Sequence, residues 1–227
     1  YMKSFPKQER QLELFRNSLK TRDYIGGNIP ITGRSCTNYS IQLFPDIPTC
    51  NKLLTYMKNK DYLDVACGIN HLYPKSLLRQ LKGPKKRHGL DIHSKTEGNY
   101  FKGSIYKTPF PNSSYDCITI NNFLYFWEYK PDNLLKIYKE LYRICRQGGE
   151  IRVFPVFFGN YHQDKVELFE YLNDNFTIQL VRGNDYSKES PIYMKDGEIL
   201  ETPKRNGPGE NRLNHQLMSY VLILHKQ

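Results

Sequence analysis

Short apolar runs and stretches of helical periodicity take turns along this chain from Tyr62 to its end. Unbroken or alternating apolar runs read as strands, whereas apolar residues three and four apart read as helices. The strands are YLDVAC (62–67), Arg87–Ile92, Tyr100–Ile105, Tyr115–Phe123, Glu150–Phe158, Phe176–Val181 and Ser219–His225. Between them lie helices with Leu77, Leu78 and Leu81 after Pro74, with Leu134, Ile137, Tyr138, Leu141 and Ile144 after Pro131, and over 163–173 with Val166, Phe169 and Leu172 inward. Gly148-Gly149 is expected to stop the second of these. Such alternation predicts a doubly wound, mainly parallel sheet with helices on both faces. The last two strands have no helix between them, only the polar stretch 182–214, so they are expected to close the sheet as an antiparallel β-hairpin. Only a few residues separate Ile92 from Tyr100, too few for an ordinary parallel crossover. That crossover helix is therefore expected to be stunted, or the third strand irregular.

Ahead of this core the pattern differs. Residues 8–20 carry Leu12, Phe15 and Leu19 at helical spacing, and 21–48 are rich in Gly, Pro, Asn, Ser and Thr and read as an irregular arm. Thr49 is placed to cap a helix over 50–60, with Leu53, Leu54 and Met57 inward. The chain thus divides into an N-terminal helical arm or lid, 1–60, packed on a core, 61–227, that holds the 182–214 insertion.

Composition narrows the function classes. Of 227 residues, 39% are hydrophobic and 25% charged, the balance of a globular protein. No run is long and apolar enough for a membrane helix, and the first residues form no apolar run, so no signal peptide is expected. The five cysteines lack metal-ligand spacing, so reduced thiols, no metal and a soluble, cytoplasmic protein are expected. The formal charge of +10 admits a nucleic-acid partner, although the basic residues are scattered. The densest run, LKGPKKRHG (81–89), joins a helix to the second strand at the amino ends of the strands and reads as a solvated loop.

Four segments carry chemistry. LDVACGIN (63–70) is a strand running into a glycine turn, and Gly68 lets a ligand approach the backbone. Asp91 ends the second strand, where a carboxylate can accept hydrogen bonds from both hydroxyls of a ribose. The third segment contains GSIY (103–106) and TPFPNSSYD (108–116), and the fourth is ELYRICRQGG (140–149). Together they resemble the class I S-adenosylmethionine (SAM)-dependent methyltransferase family, closest to its small-molecule branch with "LPFPDNSFD" and "ELYRVLKPGG" segments. The resemblance spans about residues 60–158 and implies a Rossmann-like fold with SAM as cofactor.

It also implies residue roles. Asp64, Ala66, Cys67 and Gly68 match the loop that cradles the methionine part of SAM, and Asn70 takes the position of a later glycine. Asp91 matches the ribose acid, with Ile92 packing on the adenine. Ser104 stands where the family has an acid for the adenine amino group, and Ile105 is its apolar neighbour. Asn121 and Asn122 end the fourth strand near the transferred methyl. His162 follows the fifth strand and is the candidate general base, while Tyr24, Arg34 and Tyr39 of the arm are candidates to line the site. The implied activity is methyl transfer to an O or N acceptor, a small molecule or sugar. The alternatives are an RNA methyltransferase and a catalytically inactive binding protein of the same fold.

Overall fold

The computed structural model describes residues 35–47, 49–68, 75–83, 86–92, 96–121, 131–154, 156, 165–182, 193–195, 198–201 and 220–227. The expected helix at 8–20 and the residues Tyr24, Arg34, Asn70, Asn122 and His162 lie outside them.

Seven strands form one sheet: β1 (Tyr62–Val65), β2 (Arg87–Asp91), β3 (Tyr100–Lys102), β4 (Tyr115–Asn121), β5 (Cys145–Phe154), β6 (Phe176–Arg182) and, at the end of the chain, Tyr220–Lys226. A two-stranded antiparallel ribbon, β7 (Tyr193–Lys195) and β8 (Glu198–Glu201), lies within the 182–214 stretch, so the last strand is β9. The order across the sheet is β3-β2-β1-β4-β5-β9-β6. Strands β1 to β5 run parallel, and β9 is antiparallel to both β5 and β6. This is the doubly wound sheet expected, and β9 enters between its neighbours rather than adding to an edge.

Successive residues of a strand point to opposite faces, and the two faces have different chemistry. On one, Leu63, Val65, Ile118, Ile120, Ile151 and Val153 pack against α4 (Pro131–Ile144) and α5 (Lys165–Asn175). The α4 residues Leu134, Ile137, Tyr138, Leu141 and Ile144 are fully buried, as their spacing predicts. Burying each such side chain is worth about 1.5–3 kcal/mol. The Tyr138 hydroxyl meets no hydrogen-bond partner among the described residues.

The other face is covered by α1 (Cys36–Gln42), α2 (Cys50–Met57) and α3 (Leu77–Gln80), with Leu43, Phe44, Leu53, Met57 and Leu77 in its core. It buries polar groups as well. Arg152 and Glu150, both about 3% exposed or less, project from β5 toward the segment after α1. The Arg152 guanidinium donates to both oxygens of Asp46, at 2.6 and 3.0 Å, to the Leu43 carbonyl and to Glu150. Glu150 also accepts from the Tyr56 hydroxyl at 2.7 Å and from Lys60 at 3.3 Å. Buried charges are tolerated when every partner is in place, so this cluster fixes the N-terminal segment to the sheet.

Several expectations change. Residues 36–42 are helical, not irregular: packing of Tyr39 and Leu43 into the sheet, and the bond from Cys36 N to the Lys75 carbonyl, override poor local propensity. The helix capped by Thr49, whose Oγ1 accepts from Lys52 N, ends at Met57. Helix α4 ends at Ile144, ahead of the glycines. Gly148, at φ +71°, and Gly149, whose Cβ would lie 2.9 Å from Cys145 Sγ, instead shape an irregularity within β5 opposite Tyr115–Cys117. Val166 is 58% exposed, and Leu168 and Leu172 form the inner edge of α5. Cys36 and Cys50 form a disulfide, against the expectation of reduced thiols throughout, because α1 and α2 place the two residues side by side. Cys67, Cys117 and Cys145 are buried thiols outside any disulfide.

Strand β3 is only three residues long, and residues 92–99 join it to β2. Among the described residues of that connection there are only turns and the Glu97–Tyr100 bridge.

Candidate functional site

In a doubly wound sheet the ligand crevice opens at the carboxyl ends of the strands, where the winding reverses. Here that point lies between β1 and β4. The turn after β1 holds Ala66 at φ +54° and Gly68 at φ +55°. A left-handed backbone costs Ala66 about 1–2 kcal/mol, a strain that the surrounding bonds must hold. Cys67 N donates to the Leu90 carbonyl at 3.2 Å, and Gly68 N donates to Asp91 Oδ2 at 3.0 Å. The acid at the end of β2 therefore organises the turn after β1. A carboxylate offers about four acceptor sites, so this bond is compatible with accepting from ribose hydroxyls as well.

Asp64 is 1% exposed, and its carboxylate is turned inward. Its Oδ2 accepts from the Tyr39 hydroxyl at 2.6 Å and its Oδ1 from Thr119 Oγ1 at 3.0 Å. Thr119 Oγ1 is also 2.7 Å from the Tyr62 hydroxyl. Burial, with Asp64 and Tyr39 nearby, pushes the Tyr62 hydroxyl well above the usual tyrosine range. One helical turn beyond Tyr39, Gln42 Oε1 accepts from Asn121 Nδ2 at 3.1 Å. Helix α1 thus spans the switch point, bonded to the end of β1 through Tyr39 and to the end of β4 through Gln42.

The third expected segment closes the edge beyond β2. Gly103 N donates to the Asp91 carbonyl at 3.2 Å, and Ser104 Oγ accepts from Tyr106 N at 3.2 Å. Ile105 is buried, whereas Ile92 is 54% and Tyr106 42% exposed, just past the ends of β2 and β3.

The paired motifs TPFPN and ELYR have a physical reason to occur together. Glu140 Oε1 accepts from both the backbone N and Oγ1 of Thr108, at 2.6 and 2.7 Å. Arg143 grips the same carboxylate through Nε and Nη2 and donates from Nη1 to Asn112. Burial pushes the Glu140 carboxyl up, but the Arg143 and Thr108 bonds outweigh it and hold it below the ordinary glutamate value. Helix α4 in this way anchors the loop leading from Ser104 into β4.

Asp64, Ala66, Cys67, Gly68, Asp91, Ile92, Ser104, Ile105 and Asn121 accordingly fall along one edge of the sheet, at or just past the ends of β1 to β4. Sequence reading passed over Gln42, Thr119 and Tyr106. Thr119 had a signal, since it shares the face of β4 with Cys117 and Asn121; Gln42 had none, because its partner is 79 residues away.

A parallel sheet with an acid ending its second strand and a glycine turn after its first defines the nucleoside-binding class of doubly wound proteins. Within that class, residues 63–153 match the family model described as a methyltransferase domain. That stretch carries a SAM-dependent methyltransferase domain, with S-adenosylmethionine as its cofactor. No curated protein matches it. Among solved structures it is similar to a protein of Pyrococcus horikoshii, at 16% identity over 77% of this chain and 86% of that one, with a TM-score of 0.46. It is also similar to a SAM-dependent methyltransferase of Archaeoglobus fulgidus, at 15% identity, 78% and 90% coverage and a TM-score of 0.43. A third similarity is to a SAM-dependent methyltransferase from Mesorhizobium loti, at 16% identity over 44% of this chain, with a TM-score of 0.34. The match spans 50% of that protein's length. The assignment rests on the family match and the site geometry, not on these likenesses. Among the described residues no helix is long and apolar enough to cross a membrane.

Proposed function

We propose that this methyltransferase acts on an oxygen or nitrogen of a small acceptor, such as a sugar or another polar metabolite. The observation supporting this reading is the position of α1, whose Tyr39 and Gln42 are bonded to Asp64 and Asn121 across the switch point. A roof so close to the strand ends suits an enclosed small acceptor better than a broad macromolecular surface. Asn121 and Gln42 are neutral amides, able both to donate and to accept, and suit an acceptor that is polar but uncharged where it meets them.

SAM supplies an electrophilic methyl carbon on a sulfonium, and the enzyme's task is chiefly alignment. In this reading Asp91 accepts from the ribose hydroxyls, the backbone around Gly68 lies along the methionine part, and Ile92, Ile105 and Tyr106 offer apolar surface to the base. Ser104 Oγ presents an acceptor for the adenine amino group. The departing thioether is neutral, so no acid is needed. A hydroxyl acceptor needs a base, and His162 is proposed for that role.

The test is a panel of sugars, amines and small hydroxylated compounds with S-adenosylhomocysteine release as readout. A product with the methyl on oxygen or nitrogen supports the reading. The second reading, an RNA acceptor, is favoured by the +10 charge. Turnover on RNA alone, with KM rising steeply with salt, would replace the small-acceptor proposal.

A further inference from the structure

Over β2 and β3 the sheet carries a cleft of about 480 Å³, walled by Leu78 and Arg79 of α3, Arg87 of β2, and Glu97, Gly98, Asn99 and Tyr100. That volume is within the usual range for small-ligand sites.

The cleft has a defined floor. Gly89 and Tyr100 are register partners, and a Cβ at Gly89 would lie 2.7 Å from both Tyr100 Cδ1 and Cys67 Sγ. Glycine is therefore what allows the half-buried Tyr100 ring to lie across β2. Two arginines, Arg79 and Arg87, and one acid, Glu97, line the cleft with this ring, and both arginines act electrostatically on the Tyr100 hydroxyl. Arg87 is held in place by donating to the Leu81 carbonyl. Arg87 belongs to the basic run 81–89, which the cofactor edge leaves unused.

Guanidinium forks match phosphate oxygens in pairs, and an aromatic ring offers a stacking surface to a flat heterocycle. We propose that this cleft is a second ligand site, taking a nucleotide with its phosphate between Arg79 and Arg87 and its base against Tyr100. Four residue steps along β2, about 13 Å, part Arg87 from Asp91, so the phosphate end of this site lies away from the cofactor edge, while Tyr100 lies at Gly89 next to Cys67 of the turn after β1. The inference does not depend on which acceptor is methylated. Its ligand is either a free mononucleotide or one nucleotide of an RNA strand, which share this chemistry.

The experiment is calorimetric titration of the full chain with AMP, inorganic phosphate and a short oligouridylate, at low salt, with and without saturating S-adenosylhomocysteine. AMP and phosphate should bind with S-adenosylhomocysteine present. Arg79→Glu, on an exposed position, should weaken AMP about tenfold or more and leave S-adenosylhomocysteine affinity unchanged. Arg79→Gln should give a smaller loss in the same direction. Oligouridylate binding more tightly than AMP, with the same Arg79 dependence, identifies a strand as the source; equal or weaker binding identifies the free nucleotide. Displacement of AMP by S-adenosylhomocysteine, indifference to Arg79→Glu, or no heat at millimolar AMP and phosphate would overturn the proposal.

Discussion

Replacing Tyr39 by Phe isolates the bond that joins α1 to the floor of the crevice. The ring is kept, so packing in the 1%-exposed pocket is unchanged, and only the hydroxyl 2.6 Å from Asp64 Oδ2 is lost. Hydrogen bonds to a charged partner contribute about 1.5–3 kcal/mol. Asp64 is itself 1% exposed, so water cannot readily replace the donor, and a loss near 2 kcal/mol is expected. In a chain of this size that lowers the melting temperature by about 4–8 °C. Urea unfolding should show a lower midpoint at an unchanged slope. Thr119→Val removes the donor to the other oxygen, 3.0 Å away, so the two changes should be non-additive by at least about 0.5 kcal/mol. A Tyr39→Phe protein within about 0.5 kcal/mol of the parent, or strict additivity with Thr119→Val, would refute the idea that α1 is tied to the cofactor edge through this carboxylate.

Asp91→Ala should weaken S-adenosylhomocysteine binding by about 1–3 kcal/mol in calorimetry, and unchanged affinity would exclude it as the ribose acid. Cys50→Ser opens a disulfide whose ends are 14 residues apart and should cost about 3 kcal/mol of stability; reductant should lower the parent to the same level and leave the variant unaffected. Burial pushes the Glu150 carboxyl up, but Arg152, Lys60 and the Tyr56 hydroxyl outweigh it, so its folded pKa lies below the ordinary glutamate value. A depressed acid contributes stability above its unfolded pKa and loses it as pH falls through the folded one. Glu150→Gln should therefore cost about 3 kcal/mol at neutral pH, with the gap to the parent narrowing in acid; a gap independent of pH would contradict this. Tyr138→Phe removes a buried hydroxyl that has no partner among the described residues and should raise stability by about 1 kcal/mol, as measured by urea unfolding.

The elements of the core were legible because their signals are local. The five-residue stripe of α4, the Thr49 cap and the strand runs each follow from periodicity within one segment, and all five stripe residues are indeed fully buried. The edge residues were legible for a similar reason: Gly68 and Asp91 sit where a strand ends, and a strand's end is written in its own residues. The error at Val166 came from counting periodicity without a partner surface, since that surface meets Leu168 and Leu172 instead.

What the chain's order of residues determined by itself was therefore the alternation of strands and helices, the sheet it implies and the edge where a nucleoside can lie. Only the tertiary structure decided that Cys36–Gln42 is a helix, that Cys36 meets Cys50, that Gln42 meets Asn121, and that Arg152 reaches Asp46. Each of these depends on groups between 14 and 106 residues apart. A short, weakly helical segment has no preference strong enough to form alone, and a polar side chain carries no mark of the distant partner that satisfies it. Such contacts exist only once the sheet has brought the segments together.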